Sequence, residues 1–422
     1  MIKGEKIRLD AHNILYSIYN FNKTLNNQHI KKIISKHKKE DISFINNVIL
    51  NTMRFHLHTS KIINMYINKT IRKNERILLS SAITQIVFLN FKEYAVINCS
   101  VEIAKKLNVY HGLINAILKK ISKNKQSLKN INVNFDDLPE WFRKKTISLS
   151  KAEKNLFLKN FSKEPSIHIV FKDKDKLSNF EEELIRTTEV SGFLVNRKKI
   201  TEIVSFKKGD WWVQDFSSFF PLQNLRIEKE DKKFLDACAA PGGKSFQILS
   251  KKRRITLNDI SDYRIKTLKS NLNRLRFNPE ITNKDFTKIQ ENKKYDFIII
   301  DAPCSAIGTI RKNPEIFFKS NGPNFEELNE LQKKMLNKAS KILNLNGIIL
   351  YMVCSFIKSE TEDQINNFLK EQNNFQLYKF DLIEQNIKYS KLLKNNFMLT
   401  LPNTIKKNSI DGYFAAYLKK LK

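Results

Sequence analysis

The chain has 422 residues, too many for one ordinary domain, and 41% hydrophobic content with 30 phenylalanines provides for sizeable cores. No apolar run approaches the length of a membrane span, and the start Met1-Ile2-Lys3-Gly4-Glu5-Lys6 carries no signal-peptide pattern. Four irregularly spaced cysteines exclude a disulfide framework and point to a reducing, cytoplasmic setting, while 75 basic against 43 acidic residues (net +32) suit a polyanionic partner.

Residues 1 to about 130 read as all-helical. Leu79, Ala82, Ile83 and Ile86 recur at helical spacing, as do Leu113, Ile114, Ile117, Leu118 and Ile121, with proline absent. Residues 123–137 are mostly polar and read as a linker. Residues 138–225 read as a small α+β module, with strands at 167–171, 193–195 and 211–213 and a short helix at 180–187.

From about residue 232 strands and helices alternate, the pattern of a doubly wound α/β sheet. Strands are expected at 234–236 and 255–257. Leu268, Leu272 and Leu275 line a helix, and Asn324 with Glu327 makes a capping pair for another. Phe297-Ile298-Ile299-Ile300 ends in Asp301-Ala302-Pro303-Cys304. Ile348-Ile349-Leu350-Tyr351-Met352-Val353 ends in Cys354-Ser355. In an open parallel sheet ligands bind outside the carboxyl ends of the strands, so two thiols and a carboxylate are expected at one site.

Cys238-Ala239-Ala240-Pro241-Gly242-Gly243-Lys244 joins the first strand of that sheet to a helix, where backbone N–H groups can approach a ligand. A P-loop is the rival reading; Gly243-Lys244-Ser245 fits its end, but Cys238 stands where its first glycine belongs. Asp259, Asp285 and Asp301 close successive strands. Each alone is as readily a helix cap as a ligand group, but three after a glycine turn favour a nucleoside cofactor. All seven histidines lie at or before His168, so the sheet has no Ser-His or Cys-His relay, and no metal site is expected.

The runs around Cys238, Asp301 and Cys354 resemble the RsmB/Nop family of RNA 5-methylcytosine methyltransferases. Gln214-Asp215-Phe216-Ser217-Ser218 and Asp411-Gly412-Tyr413-Phe414-Ala415 resemble segments flanking that family's core. Ile310-Arg311-Lys312-Asn313-Pro314-Glu315-Ile316 resembles its bacterial small-subunit rRNA branch, which carries a NusB-like helical domain in front. The resemblance implies three parts: a NusB-like RNA-binding bundle at 1–130, a small α+β RNA-binding module at 138–225, and a Rossmann-like class I methyltransferase domain at 226–422. It implies S-adenosylmethionine as cofactor and small-subunit rRNA as partner, with a cytoplasmic monomer as the acting form.

By the same resemblance Cys354 is the nucleophile, Cys304 assists proton removal or release of the enzyme from its product, and Asp301 contacts the base. The loop Cys238-Ala239-Ala240-Pro241-Gly242-Gly243-Lys244 cradles the cofactor, Asp259 holds its ribose and Asp285 its adenine edge. Three features depart from the family: Val353 replaces a usual threonine, Ala306-Ile307 stands where a glycine is usual, and the residues after Cys354 are more polar than usual. A tRNA methyltransferase, a non-catalytic RNA-binding assembly factor and a P-loop NTPase are the alternatives.

Overall fold

A computed structural model describes residues 3–25, 27–223, 232–380, 382, 384–394 and 396–421. The boundary expected between residues 225 and 226 lies outside the described residues. By backbone packing the chain divides into two units, Met1–Ile147 with Asn313–Gly322, and Ser148–Lys312 with Pro323–Lys422.

The first unit is helical. In its helices Lys73–Ile83 and His111–Lys123 the expected apolar stripes are buried, with Leu79, Ala82, Ile83, Ile114, Ile117, Leu118 and Ile121 in one core. Each of the leucine and isoleucine side chains contributes about 1.5–3 kcal/mol on burial. Residues 123–137 are more ordered than a linker: Lys125–Leu128 is helical and Leu128 is buried in the same core. Phe318 packs with a second core, its ring stacked on Tyr19 at 4.1 Å.

The second unit contains two larger sheets. β1 (His168–Phe171), β2 (Leu184–Thr188), β3 (Ser191–Leu194) and β4 (Trp211–Val213) form an antiparallel sheet in the order β2-β3-β1-β4. The helix expected at 180–187 does not form: residues 180–183 are irregular and the rest belongs to β2, while the helix of this segment is Lys174–Ser178. Glu181-Glu182-Glu183 favour a helix, but Ile185, Thr187 and Thr188 are β-branched and pairing with β3 overrides local propensity.

The large sheet uses β5 (Phe234–Asp236), β6 (Ile255–Asn258), β7 (Ile281–Thr282), β8 (Tyr295–Asp301), β9 (Leu343–Val353), β10 (Phe375–Tyr378), β11 (Leu393–Lys394) and β12 (Phe397–Thr400). A hairpin, β13 (Asn403–Ile405) and β14 (Asn408–Ile410), precedes the closing strand β15 (Tyr413–Lys420). The sheet order is β11-β12-β15-β9-β8-β5-β6-β7, with β10 also on β15. β6, β7, β8 and β9 run parallel to β5, and β15 is antiparallel to β9. Strand order reverses between β5 and β8, the switch point at which such sheets bind ligands. Leu235, Ile298, Ile300, Ile349 and Tyr351 bury one face, and Phe234, Phe297, Ile299, Leu350 and Met352 the other. The sheet is therefore covered on both sides, as its parallel part requires.

Gly308 bonds both ends of the site. Its N–H donates to the Cys354 carbonyl at 3.0 Å and its carbonyl accepts from the Gly412 N–H at 2.9 Å. A Cβ on Gly308 would collide with the Gly412 carbonyl. Gly308→Ala is therefore expected to lower stability by about 1–3 kcal/mol, the usual cost of overpacking. Thermal unfolding of the two proteins side by side checks this, and unchanged melting would contradict the close packing.

Candidate active site

At the carboxyl end of β8, Asp301 receives two bonds. Lys244 Nζ lies 2.6 Å from one carboxylate oxygen and the Tyr413 hydroxyl donates to the other at 2.9 Å. Burial opposes a charge on Lys244, but Asp301 outweighs it and holds the ammonium above its ordinary value. Burial, reinforced by the Asp301 charge, pushes the Tyr413 phenol up, so it stays a donor.

Three residues after Asp301 comes Cys304, and one residue after β9 comes Cys354. Their sulfurs lie 3.3 Å apart and both are free thiols. The hydrogen bond to Cys354, then burial, then the charges of Cys354 and Glu360 hold the Cys304 thiol well above its ordinary value. That direction keeps Cys304 a neutral thiol.

The glycine turn follows β5, the strand that pairs with β8. Gly242 sits at φ +117°, a conformation that L side chains rarely adopt, and caps the helix Gly243–Ser250. Asp236, at the end of β5, is buried and accepts from Ser245 at 2.6 Å and from the Cys238 N–H at 3.3 Å. Burial also pushes the Cys238 thiol up, making it a neutral lining group.

Asp259 follows β6 and is 1% exposed. Its oxygens accept from the Ala240 N–H at 3.2 Å and the Ser261 N–H at 3.0 Å, and Arg264 lies 3.4 Å away. It therefore ties the glycine-turn loop to β6. Asp285 lies three residues beyond β7 and caps the turn Phe286–Lys288, accepting from Thr287. Ala237, Cys238, Ile260, Phe286, Pro303 and Met335 line a mainly apolar hollow with Asp285 at its wall. A flat purine edge suits such a hollow, and the glycine turn and two carboxylates beside it suit the rest of a nucleoside cofactor. A larger hollow with Arg254, Thr256, Pro279 and Lys293 on its walls lies at the amino ends of β5, β6 and β8, away from the thiols.

Structure also shows what sequence reasoning missed. Tyr413 belonged to a recognised segment, yet its bond to Asp301 depends on β15 pairing with β9. Asp215, Lys312 and Asp411, from three separated segments, form one cluster: Lys312 Nζ lies 2.7 Å from Asp215 and 2.6 Å from Asp411. Glu360 joins the serines that follow the two cysteines. The repeated Cys-Ser pair was the available signal. Of the departures, Val353 is buried in the core, and Ala306 sits at φ +57°, where a glycine would carry no steric cost. Among the described residues no cluster of three metal-ligating side chains occurs, and no helix is long and apolar enough to cross a membrane.

Residues 223–419 match the model of the 16S rRNA methyltransferase RsmB/F family, and residues 5–123 that of the NusB family. The chain is 27% identical over 323 residues to ribosomal RNA small subunit methyltransferase B of Serratia proteamaculans, covering 71% of this chain and 74% of that protein. To the protein of the same name from Pasteurella multocida it is 25% identical over 411 residues, covering 91% and 89%. The crystal structure of PH0851 shares the fold at TM-score 0.69, with 20% identity and coverage of 100% and 99%. That of NSun6 from Pyrococcus horikoshii with SFG shares it at TM-score 0.56, with 18% identity and coverage of 67% and 98%.

Two stability predictions follow from the buried charges. Burial raises the Asp236 carboxyl from 3.8 to about 6. A group so raised stabilises the fold fully below its unfolded value and loses that contribution as pH climbs through the folded one. Asp236→Asn should therefore gain about 2 kcal/mol on the wild type between pH 4 and pH 8. Urea unfolding at both pH values checks it; a parallel pH profile would contradict it. Lys312→Met would leave Asp215 and Asp411 facing each other. With the lysine side chain 36% exposed and so partly screened, the expected loss is about 2–3 kcal/mol, below that of a fully buried pair. A loss under about 1 kcal/mol would contradict the cluster's role.

Proposed function

Since the chain belongs to the 16S rRNA methyltransferase RsmB/F family over residues 223–419 and to the NusB family over residues 5–123, we propose that it methylates carbon 5 of a cytosine in small-subunit rRNA through a covalent cysteine adduct. It is an S-adenosylmethionine-dependent RNA methyltransferase. The observation that carries the finer reading is the pair of sulfurs 3.3 Å apart beside Asp301.

Carbon 5 of cytosine is a weak nucleophile. The Cys354 thiolate adds to carbon 6 and drives electron density onto the ring, which makes carbon 5 enamine-like. S-adenosylmethionine, when bound, supplies an electrophilic methyl group on a sulfonium. Carbon 5 takes that methyl, a base removes its proton, and the Cys354 thiolate leaves as the double bond re-forms. Cys304 assists this proton removal or the release that follows it. Asp301, positioned by Lys244 and Tyr413, receives the ring-nitrogen edge of the base.

Cys238, Ala239, Ala240, Pro241, Gly242, Gly243 and Lys244 cradle the cofactor; Asp259 faces the ribose and Asp285 the adenine edge. Because the Asp259 oxygens already bond two amides, it holds the ribose through whatever acceptor capacity remains and through the shape of the loop it fixes. The target nucleotide is unstacked to reach the thiols. Residues 1–130 and 138–225 bind RNA by shape and phosphate contacts, with 226–422 as the methyltransferase domain. The enzyme works as a cytoplasmic monomer.

Labelled methyl transfer to bare small-subunit rRNA, followed by mapping of the product, tests this. Cys354→Ala should give neither product nor adduct. Cys304→Ala should begin the reaction and stall, leaving a protein–RNA complex stable to denaturing electrophoresis. An adduct in Cys354→Ala alone would exchange the two roles, and methylation of tRNA but not rRNA would overturn the substrate.

A further inference from the structure

We infer that Glu360 is the positioning residue for both cysteines, its carboxylate clamping the Cys304 loop to the Cys354 loop and setting the gap between the thiols. The inference rests on the two-cysteine reading above.

Glu360 is 0% exposed, in the turn Lys358–Glu360 that follows the Cys354 loop. One of its oxygens accepts from the Ser305 N–H at 2.7 Å and from Gln332 Nε2 at 3.2 Å. The other accepts from the Ser305 hydroxyl at 2.5 Å and the Ser355 hydroxyl at 2.6 Å. Ser305 follows Cys304 and Ser355 follows Cys354, so one carboxylate grips the residue next to each thiol. Gln332 extends the grip by donating to the Pro303 carbonyl at 2.9 Å, and Tyr351 fixes the turn by donating to the Glu360 carbonyl at 2.8 Å.

All these partners are neutral. Among the described residues no cation forms an ion pair with it; a buried carboxylate so placed is costly, and hydrophobic packing would fill the space at less expense. What a carboxylate alone provides is acceptor capacity on both oxygens, enough for two hydroxyls, an amide and a glutamine at once. A glutamine at 360 has one such oxygen and turns a donor toward the remaining partners. The charge has a second consequence. It adds to the forces, led by the hydrogen bond to Cys354 and by burial, that keep the proton on Cys304. Glu360 thus acts on the separation of the thiols and on the neutral state of Cys304 without touching the base.

The test uses the full chain as Glu360→Gln, with Cys354→Ala as reference. Glu360→Gln should lower kcat by about 10-fold or more, the scale of misplaced acid–base and nucleophilic groups, while KM for RNA and for cofactor moves by less than about 3-fold. In a Cys354→Ala background, Glu360→Gln should also speed iodoacetamide alkylation of Cys304 and move its pH midpoint downward, because a negative charge has been removed. Wild-type kcat, a loss residing wholly in KM, or an unmoved alkylation profile overturns the inference. If circular dichroism shows Glu360→Gln unfolded, Ser305→Ala and Ser355→Ala replace it; each should lower kcat by about 3-fold or more, and two wild-type values overturn the inference. An inactive Cys354→Ala beside a normal Glu360→Gln rejects the clamp alone. An active Cys354→Ala rejects the catalytic reading beneath it.

Discussion

The parallel pairing of β8 with β9 is the constraint from which the site follows. Asp301 lies opposite Met352, and the Ala302 N–H donates to the Met352 carbonyl at 2.9 Å. From that register Cys304 and Cys354 leave the sheet side by side. A slip of one residue would turn Ile298, Ile300, Ile349 and Tyr351 out of their shared core, so burial of the two faces enforces the register. The chemistry is thus held in place by packing that takes no part in it.

Around the two thiols, charge is arranged in layers. Lys244 and Tyr413 hold Asp301 at the carboxyl end of β8. Behind them Lys312 bridges Asp215 and Asp411: it outweighs burial to keep Asp215 below the carboxylate range, while Asp411 is pushed up by its own burial and by Asp215. Asp411 lies two residues before Tyr413, so this cluster anchors the start of β15 and with it the donor to Asp301. Gly308, bonded to Cys354 on one side and Gly412 on the other, links the anchor to the thiol loop. Loss of a group remote from the thiols would therefore reach them through β15 rather than through space.

Much of the site was legible because strand ends advertise themselves. Apolar runs ending in Asp301 and in Cys354 indicated the sheet and the strand ends at which the two thiols meet, and the small-residue run before Lys244 indicated the turn between strand and helix. What stayed hidden depends on long-range pairing. The Tyr413 bond needs β15 to lie against β9, with Phe414 opposite Val353. Glu360 sits in the polar stretch Lys358-Ser359-Glu360-Thr361-Glu362-Asp363, which reads as a solvated turn; only the fold buries it. The misread helix at 180–187 failed for the same reason, since pairing with β3 outweighed three glutamates. The segment Asn313–Gly322 packs with the N-terminal helical unit although it lies within the methyltransferase match; its apolar Ile316-Phe317-Phe318 was the clue.

The central claim is that Cys354 forms the bond to the base. It is tested most directly by incubating the wild-type protein and S-adenosylmethionine with small-subunit rRNA in which cytidine is replaced by 5-fluorocytidine. Fluorine at carbon 5 cannot leave as a proton does, so an adduct formed by the attacking thiol persists after methyl transfer. Digestion and mass spectrometry of the trapped complex should find the nucleotide on the peptide that carries Cys354. A nucleotide on the Cys304 peptide, or no covalent complex under conditions where unmodified rRNA is methylated, would contradict the account.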